Sequence, residues 1–83
     1  MKALYFASVR ERIGLAQEEI APPSEVATVA DLIAWLCRRG ENYASAFTDA
    51  AKVRAALDQT HARLDAPLGA AREVAFFPPM TGG

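Results

Sequence analysis

The 83-residue sequence contains one cysteine, one histidine and no excess of basic residues. The single cysteine, Cys37, excludes an internal disulfide and a cysteine-rich metal site. We predict that Cys37 is a buried structural thiol, because it lies near the apolar face of a predicted helix. His61 has no second histidine or cysteine at metal-ligand spacing, so no metal site is predicted. Paired catalytic carboxylates are not expected either, because the adjacent Glu18 and Glu19 would point to opposite faces of a strand.

Net charge and the lengths of the apolar runs indicate which kinds of partner are not expected. Nine Lys and Arg residues against ten Asp and Glu residues give a formal net charge of -1. Nucleic-acid-binding domains usually carry a basic excess, so no nucleic-acid partner is expected. The apolar runs are far shorter than the roughly 18 residues of a membrane-spanning helix, so no membrane partner is expected. No signal peptide is visible, and the low cysteine content is typical of a reducing compartment, so we predict a cytoplasmic location.

Short apolar or alternating runs predict five strands. Prolines and glycines separate these runs, and neither proline of the Pro22-Pro23 pair can donate to a sheet ladder. A short helical turn is expected after the first run, with Ser8 as its N-cap and Gly14 just past its end. The segment 41–49 is ambiguous and could hold another helical turn. The predicted strands are residues 2–7, 17–20, 53–57, 61–64 and 73–77.

The clearest predicted element is a helix over residues 28–39. Thr28 can cap its first turn, and Asp31, three residues further on, resembles the second member of a capping box. Gly40 is expected to follow the end of this helix. Four apolar residues fall at the i, i+3, i+4 and i+7 positions of one helical face: Val29, Leu32, Ile33 and Leu36.

The element order is strand, strand, helix, strand, short strand, strand. In such an order the first and last strands can pair in the centre of a mixed sheet, with the main helix packed on one face. This is the β-grasp arrangement of ubiquitin-like domains, which belongs to the α+β class. We predict a β-grasp domain over residues 1–79 and a flexible C-terminal Gly-Gly tail over residues 80–83.

Strand alternation predicts which side chains face the helix. The expected inward set is Ala3, Tyr5, Ala7, Val74 and Phe76. Leu4, Phe6 and Phe77 are expected on the opposite face, where exposed aromatic side chains would indicate a protein contact surface. The alternative is that Phe6 or Phe77 only closes one end of the core. Arg10 is expected at the polar rim of the surface.

The C-terminal residues combine features that suggest chemistry at the chain end. The run Phe76-Phe77-Pro78-Pro79 would end the last strand and lead into Met80-Thr81-Gly82-Gly83. Because glycine has no Cβ, this tail could enter a narrow channel in another protein. The α-carboxylate of Gly83 would be inert until activated, for example as an acyl-adenylate. The alternative is an inert, frayed terminus.

Residues 76–83 (FFPPMTGG) resemble the terminal signature of the molybdopterin synthase small subunits, a family of ubiquitin-like β-grasp sulfur carriers. Residues 4–11 (LYFASVRE) are similar to that family's first strand and the turn that follows it. Residues 28–32 (TVADL) and 58–60 (DQT) also fit its pattern. The resemblance extends over nearly the whole chain, and the tail is its most specific part.

The resemblance implies that Gly83 is the catalytic residue, in the sense that its carboxylate is the group that reacts. An E1-like adenylating enzyme would use ATP to activate this carboxylate, and a sulfur donor protein would convert it to a thiocarboxylate. The tail would then enter the molybdopterin synthase large subunit and donate sulfur to a cyclic pyranopterin, in molybdenum cofactor biosynthesis. The carrier itself would bind no cofactor. The implied partner-binding residues are Phe6, Arg10, His61, Phe77, Pro78, Pro79, Met80, Thr81 and Gly82.

Three positions depart from the family pattern. The family often has Asn where Asp58 stands, an apolar residue where His61 stands, and an Asp-Gly turn where residues 69–72 (GAAR) stand. These departures bear on partner affinity and not on the class of chemistry. Three other functions stay open on the residues alone: a sulfur carrier for thiamine or cysteine synthesis, a ubiquitin-like protein modifier, and a non-covalent binding module.

Overall fold

A computed structural model describes residues 1–48 and 52–79 of the chain. All five predicted strands and the main helix are confirmed, with small shifts in their ends, and the ambiguous segment after residue 40 contains a helix. The elements are β1 (Lys2–Tyr5), α1 (Ala7–Ile13), β2 (Gln17–Glu19), α2 (Val29–Cys37), α3 (Glu41–Ala46), β3 (Arg54–Leu57), β4 (Thr60–Ala62) and β5 (Glu73–Phe77).

The strands form one mixed sheet in the order β2-β1-β5-β3-β4. The first and last strands pair in parallel at its centre, with Ala3 opposite Val74 and Tyr5 opposite Phe76. The other neighbours are antiparallel: β2 with β1, β3 with β5, and β4 with β3. With α2 packed on one face, this is the predicted β-grasp fold.

The start of α2 is fixed by the predicted capping box. The backbone N–H of Asp31 donates to the Thr28 hydroxyl at 3.1 Å, and the Asp31 carboxylate accepts from the Thr28 backbone N–H at 3.2 Å. The same carboxylate accepts from the Ala27 backbone N–H at 3.1 Å, and the bonds from Ala27 and then Thr28 are the main reason that the pKa of Asp31 lies below its usual value. All four residues of the predicted apolar stripe are buried. The capping box therefore sets where the helix begins, and the stripe packs it against the sheet.

The predicted N-cap of α1 is wrong. The helix begins at Ala7, with Phe6 as its N-cap, and Ser8 lies inside the helix. Ala7 has a φ of 51°, so the chain turns sharply out of β1, and the N-cap lies two residues earlier than the sequence indicated. Gly14 closes the helix as predicted, in the left-handed conformation with a φ of 90°.

The predicted role of Gly40 is also wrong. α2 ends at Cys37 with Arg38 as its C-cap, so Gly40 does not terminate it. Gly40 is instead the N-cap of α3. The chain passes from one helix to the next within three residues, and this short connection places Tyr43 in the core.

The core lies between the sheet and the helices. Tyr5 and Phe76 are almost fully buried on the inner face and stack at 6.3 Å between ring centroids. The Phe47 ring meets Phe76 edge-on at 5.1 Å. The predicted inward set is therefore confirmed for Ala3, Tyr5, Val74 and Phe76. It is wrong for Ala7, which is exposed because it belongs to α1 and not to the strand.

One polar cluster joins the sheet to α3. The Tyr5 and Tyr43 hydroxyls donate to the same carboxylate oxygen of Glu18, at 2.8 and 2.6 Å. The Arg39 guanidinium lies 3.4 Å from the other oxygen of Glu18. Burial, and secondarily the bond to Glu18, raises the pKa of both tyrosines above the usual value. The carboxylate thus holds two phenols in their neutral, donating form.

Candidate docking face and tail root

The outer face of the sheet carries a row of mostly apolar side chains. Strand register places Leu4 beside Ala75, Ala75 beside Ala56, and Ala56 beside His61. Leu4 and Ala56 are half-buried and His61 is exposed. Within residues 1–48 and 52–79, none of these four belongs to the hydrophobic core cluster. We call this row, together with Phe6 and Phe77, the docking face.

Phe77 lies at the end of β5, opposite Arg54 on β3. Its side chain is half-buried, whereas that of Phe76, one residue earlier, is fully buried. The His61 ring meets the Phe77 ring edge-on, with centroids 6.5 Å apart and an interplanar angle of 67°. The structure therefore brings together the two predicted contact residues that lie on different strands. Their role in binding a partner stays a prediction.

Phe6 is held by its backbone while its side chain is presented to solvent. Its N–H donates to the Phe76 carbonyl at 3.1 Å, and its carbonyl accepts from Val9 and Arg10 at 3.1 and 3.3 Å. The side chain is 47% exposed, one of the two large apolar residues that are exposed in the described part of the chain. An exposed phenylalanine on a fixed backbone loses little conformational entropy on binding, which favours a contact role.

Arg10 occupies the exposed side of α1, one turn after Phe6. This position agrees with the predicted polar rim. Its backbone N–H donates to the Phe6 carbonyl at 3.3 Å, and its role in binding a partner stays a prediction.

Pro78 and Pro79 continue from β5 and are half-buried. Both line a cavity of about 360 Å³ between α1 and α3, which we call the tail-root cavity. The predicted contact residues Met80, Thr81 and Gly82 and the predicted reacting residue Gly83 lie outside the described residues. The structure thus places Pro79, the last residue before the predicted tail, against this cavity.

Sequence reasoning missed Arg12, which lines the tail-root cavity. Its guanidinium donates to the Ser45 hydroxyl at 3.0 Å and so links α1 to α3. The two residues are 33 positions apart. No local pattern signals such a pair, since the contact exists only after both helices pack on the sheet.

Asp58, one of the three departures, has a structural role. It begins the β3–β4 turn with a φ of 49°, and Gln59 follows with a φ of 70°. Its carboxylate accepts from the backbone N–H groups of Arg72 and Glu73, both at 3.0 Å. The side chain therefore ties the turn to the start of β5.

The remaining candidate groups offer little conventional chemistry. Cys37 is half-buried, less enclosed than predicted, and burial raises its pKa. The part of the chain that the structure describes has no group of three or more His, Cys, Asp or Glu residues that could hold a metal ion. In the same residues, no helix has the length and apolar character that crossing a bilayer requires.

Comparison with known proteins identifies a family and two relatives that match the chain over its length. A profile of the ThiS family matches residues 3–83. The molybdopterin synthase sulfur carrier subunit of Escherichia coli (strain K12) is 41% identical over 83 residues, covering 100% of this chain and 99% of that protein. The molybdopterin synthase sulfur carrier subunit of Haemophilus influenzae is 34% identical, with the same coverage.

Two solved structures support the fold. A candidate molybdopterin converting factor, subunit 1, from Pyrococcus furiosus has a TM-score of 0.72 at 31% identity, over 94% of each chain. SAMP1 from Haloferax volcanii also has a TM-score of 0.72, at 23% identity, and covers 100% of this chain and 98% of that one. The second likeness bears on the fold alone. By the family profile, the chain belongs to the ThiS family, and two proteins that match it over its full length are molybdopterin synthase sulfur carrier subunits.

Proposed function

We propose that this chain is the sulfur carrier subunit of a molybdopterin synthase and that the carboxylate of Gly83 carries the sulfur. The observation that carries the proposal is that this chain is 41% identical, over its full length, to the molybdopterin synthase sulfur carrier subunit of Escherichia coli. The chain also has the run FFPPMTGG at residues 76–83, which is the most specific part of the family resemblance. The docking face adds support, because it lies beside the strand that leads into the tail.

The chemistry proceeds in successive steps at the chain end. First, the Gly83 carboxylate attacks the α-phosphate of ATP, bound by an E1-like adenylating enzyme, and pyrophosphate leaves. The terminal sulfur of a donor-protein persulfide then attacks the acyl carbon and AMP leaves, which gives an acyl disulfide. A thiol cleaves the S–S bond of this intermediate and forms a disulfide with the donor cysteine, and the thiocarboxylate is released. ATP belongs to the activating enzyme, and the carrier contributes only the reacting carboxylate.

The thiocarboxylate then delivers sulfur to a cyclic pyranopterin in the synthase large subunit. The folded domain's part is to bind and orient: the docking face fixes the carrier on its partner, and the tail places the reacting group in the partner's site. Correct placement matters because acyl transfer needs reacting atoms roughly 3–3.5 Å apart. Because none of these steps requires a membrane, a cytoplasmic location is part of the proposal.

Intact-mass measurement tests the proposal. The purified chain is incubated with the activating enzyme, ATP and a sulfur donor, and is then mixed with the large subunit and cyclic pyranopterin. We expect a mass gain equal to one oxygen-to-sulfur exchange, followed by its loss as the pyranopterin acquires sulfur. Conjugates to target lysines would instead identify a protein modifier. An unchanged mass would leave a non-covalent binding module, and loading without transfer to the pyranopterin would indicate a carrier for another pathway.

A further inference from the structure

The tail-root cavity has a charge that the proposed chemistry does not use. That charge belongs to Arg12, which lines the cavity together with Ser8, Ser45 and Thr48, and the described residues of the lining include no Asp or Glu. Arg12 is exposed, and its hydrogen bond to Ser45 uses one of several guanidinium N–H donors. The cavity is therefore suited to an anionic group, with Arg12 as its principal recognition element.

The position of the cavity determines what can cover it. Its wall includes Pro78 and Pro79, from which the four tail residues 80–83 continue. Four extended residues span about 14 Å. A protein whose active site receives Gly83 must therefore approach within about that distance of Pro79, which is itself part of the cavity wall.

Covering the cavity removes water from the Arg12 guanidinium. A cation that loses its hydration without a counter-charge opposes binding, whereas a carboxylate placed against it compensates for the lost hydration. Arginine favours such a partner because its planar donors match the two oxygens of a carboxylate. The apolar floor formed by Val9 and Val53 would accept the methylene groups of the same side chain.

We infer that the tail-root cavity receives an acidic side chain of the synthase large subunit, which pairs with Arg12 when the tail is inserted. This inference rests on the proposed function. It assigns a second contact, separate from the docking face and on the other side of the tail root. An ion pair there would fix the direction in which the tail leaves the domain.

The test compares matched charge reversals. Arg12→Glu changes the cavity, and Arg38→Glu makes the same charge change at the exposed C-cap of α2, away from the tail root. Affinity and association rate for the purified large subunit are measured at low and moderate ionic strength. We expect Arg12→Glu to weaken binding at least about tenfold, with the larger loss at low salt. Arg38→Glu should stay within about twofold of the unmodified chain.

Two further variants separate charge from fold. Ser45→Ala removes the hydrogen bond to Arg12 but keeps the charge, so affinity should change by no more than about twofold. Arg12→Lys keeps the charge but loses the planar donors, and should give an intermediate loss. Thermal unfolding of each variant shows that the domain is intact.

The outcomes are distinct. Equal effects of Arg12→Glu and Arg38→Glu, or no effect of either, would overturn the inference while leaving the proposed function in place. Tighter binding by Arg12→Glu would also overturn it, by showing that a positive charge at this position opposes binding. An unmodified chain that does not bind the large subunit would contradict the proposed function itself.

Discussion

The two faces of the sheet differ in what covers them. On β5, Val74 and Phe76 point into the core and are fully buried, whereas Phe77 points away and is half-buried. The inner face is closed by the chain's own helices, and the outer face offers an apolar row that the described helices leave outside the core. Neighbouring residues of one strand therefore have different roles: Val74 and Phe76 hold the fold, and Phe77 is left accessible to a partner.

The largest expected effects come from truncating Phe76 and Phe77 one at a time, because one residue is expected to support stability and the other partner binding. Phe76→Ala should lower the free energy of unfolding by about 3–5 kcal/mol, because it opens a cavity between Tyr5 and Phe47. Phe77→Ala should cost no more than about 1 kcal/mol in stability but about 2 kcal/mol in affinity for the large subunit. Denaturant unfolding and binding isotherms measure the two effects. Comparable stability losses, or unchanged affinity in a folded Phe77→Ala, would remove the distinction.

Glu18 offers a second test of the inner face. Glu18→Ala should lower the free energy of unfolding by about 3 kcal/mol, because the Tyr5 and Tyr43 hydroxyls lose their shared acceptor in a partly buried site. Glu19→Ala, on the exposed neighbouring residue, is the matched control and should cost less than about 0.5 kcal/mol. Chemical denaturation of both variants checks the prediction. Equal losses would mean that the polar cluster adds nothing to stability.

A substitution at Asp58 tests whether this residue contributes to the stability of the fold or to partner binding. Asp58→Ala should cost about 1 kcal/mol of stability through its bonds to the Arg72 and Glu73 amides, with no change in partner affinity. Asp58→Asn keeps an acceptor oxygen and should recover most of the loss. The measurement is a thermal unfolding series with a binding assay. Weakened binding at full stability would make this a contact residue instead.

The smallest expected effect is a change in how steeply the free energy of unfolding declines at alkaline pH. The pKa values of Tyr5 and Tyr43 are raised by burial and by Glu18, so the folded state favours the neutral phenols. Their contribution is complete below the ordinary tyrosine pKa of about 10 and is lost as the pH rises above it. Denaturant unfolding between about pH 8 and about pH 11 should therefore show a decline that is shallower in the Tyr5→Phe, Tyr43→Phe double variant. Parallel declines in the two proteins would contradict this assignment.

Local sequence patterns were sufficient to predict much of the fold. The 3.6-residue apolar stripe and the capping box in the sequence locate α2, and strand alternation separates Phe76 from Phe77. The same local rules failed at Ser8 and Gly40, because helix ends depend on where the preceding element lets the chain turn. Ala7 adopts a left-handed conformation that no propensity favours.

Sequence reasoning found the candidate docking face but not the tail-root cavity. Phe6, His61 and Phe77 could be placed by alternation and by family resemblance. Arg12 could not, because it meets Ser45 only through the packing of α1 against α3, and that contact joins residues distant in sequence. Long-range side-chain pairs of this kind are decided by tertiary packing and leave no periodic signal.

The central claim is that Gly83 is the reacting residue and that the folded domain only supports it. Deleting Gly83 tests this most directly, in a reconstituted sulfur-loading assay followed by intact-mass measurement, with thermal unfolding as the control. The deletion leaves a carboxylate on Gly82 that is retracted by about 3.5 Å, which is enough to prevent activation. We expect sulfur loading to be abolished at an unchanged melting temperature. Loading that continues at the normal rate without Gly83 would contradict the account.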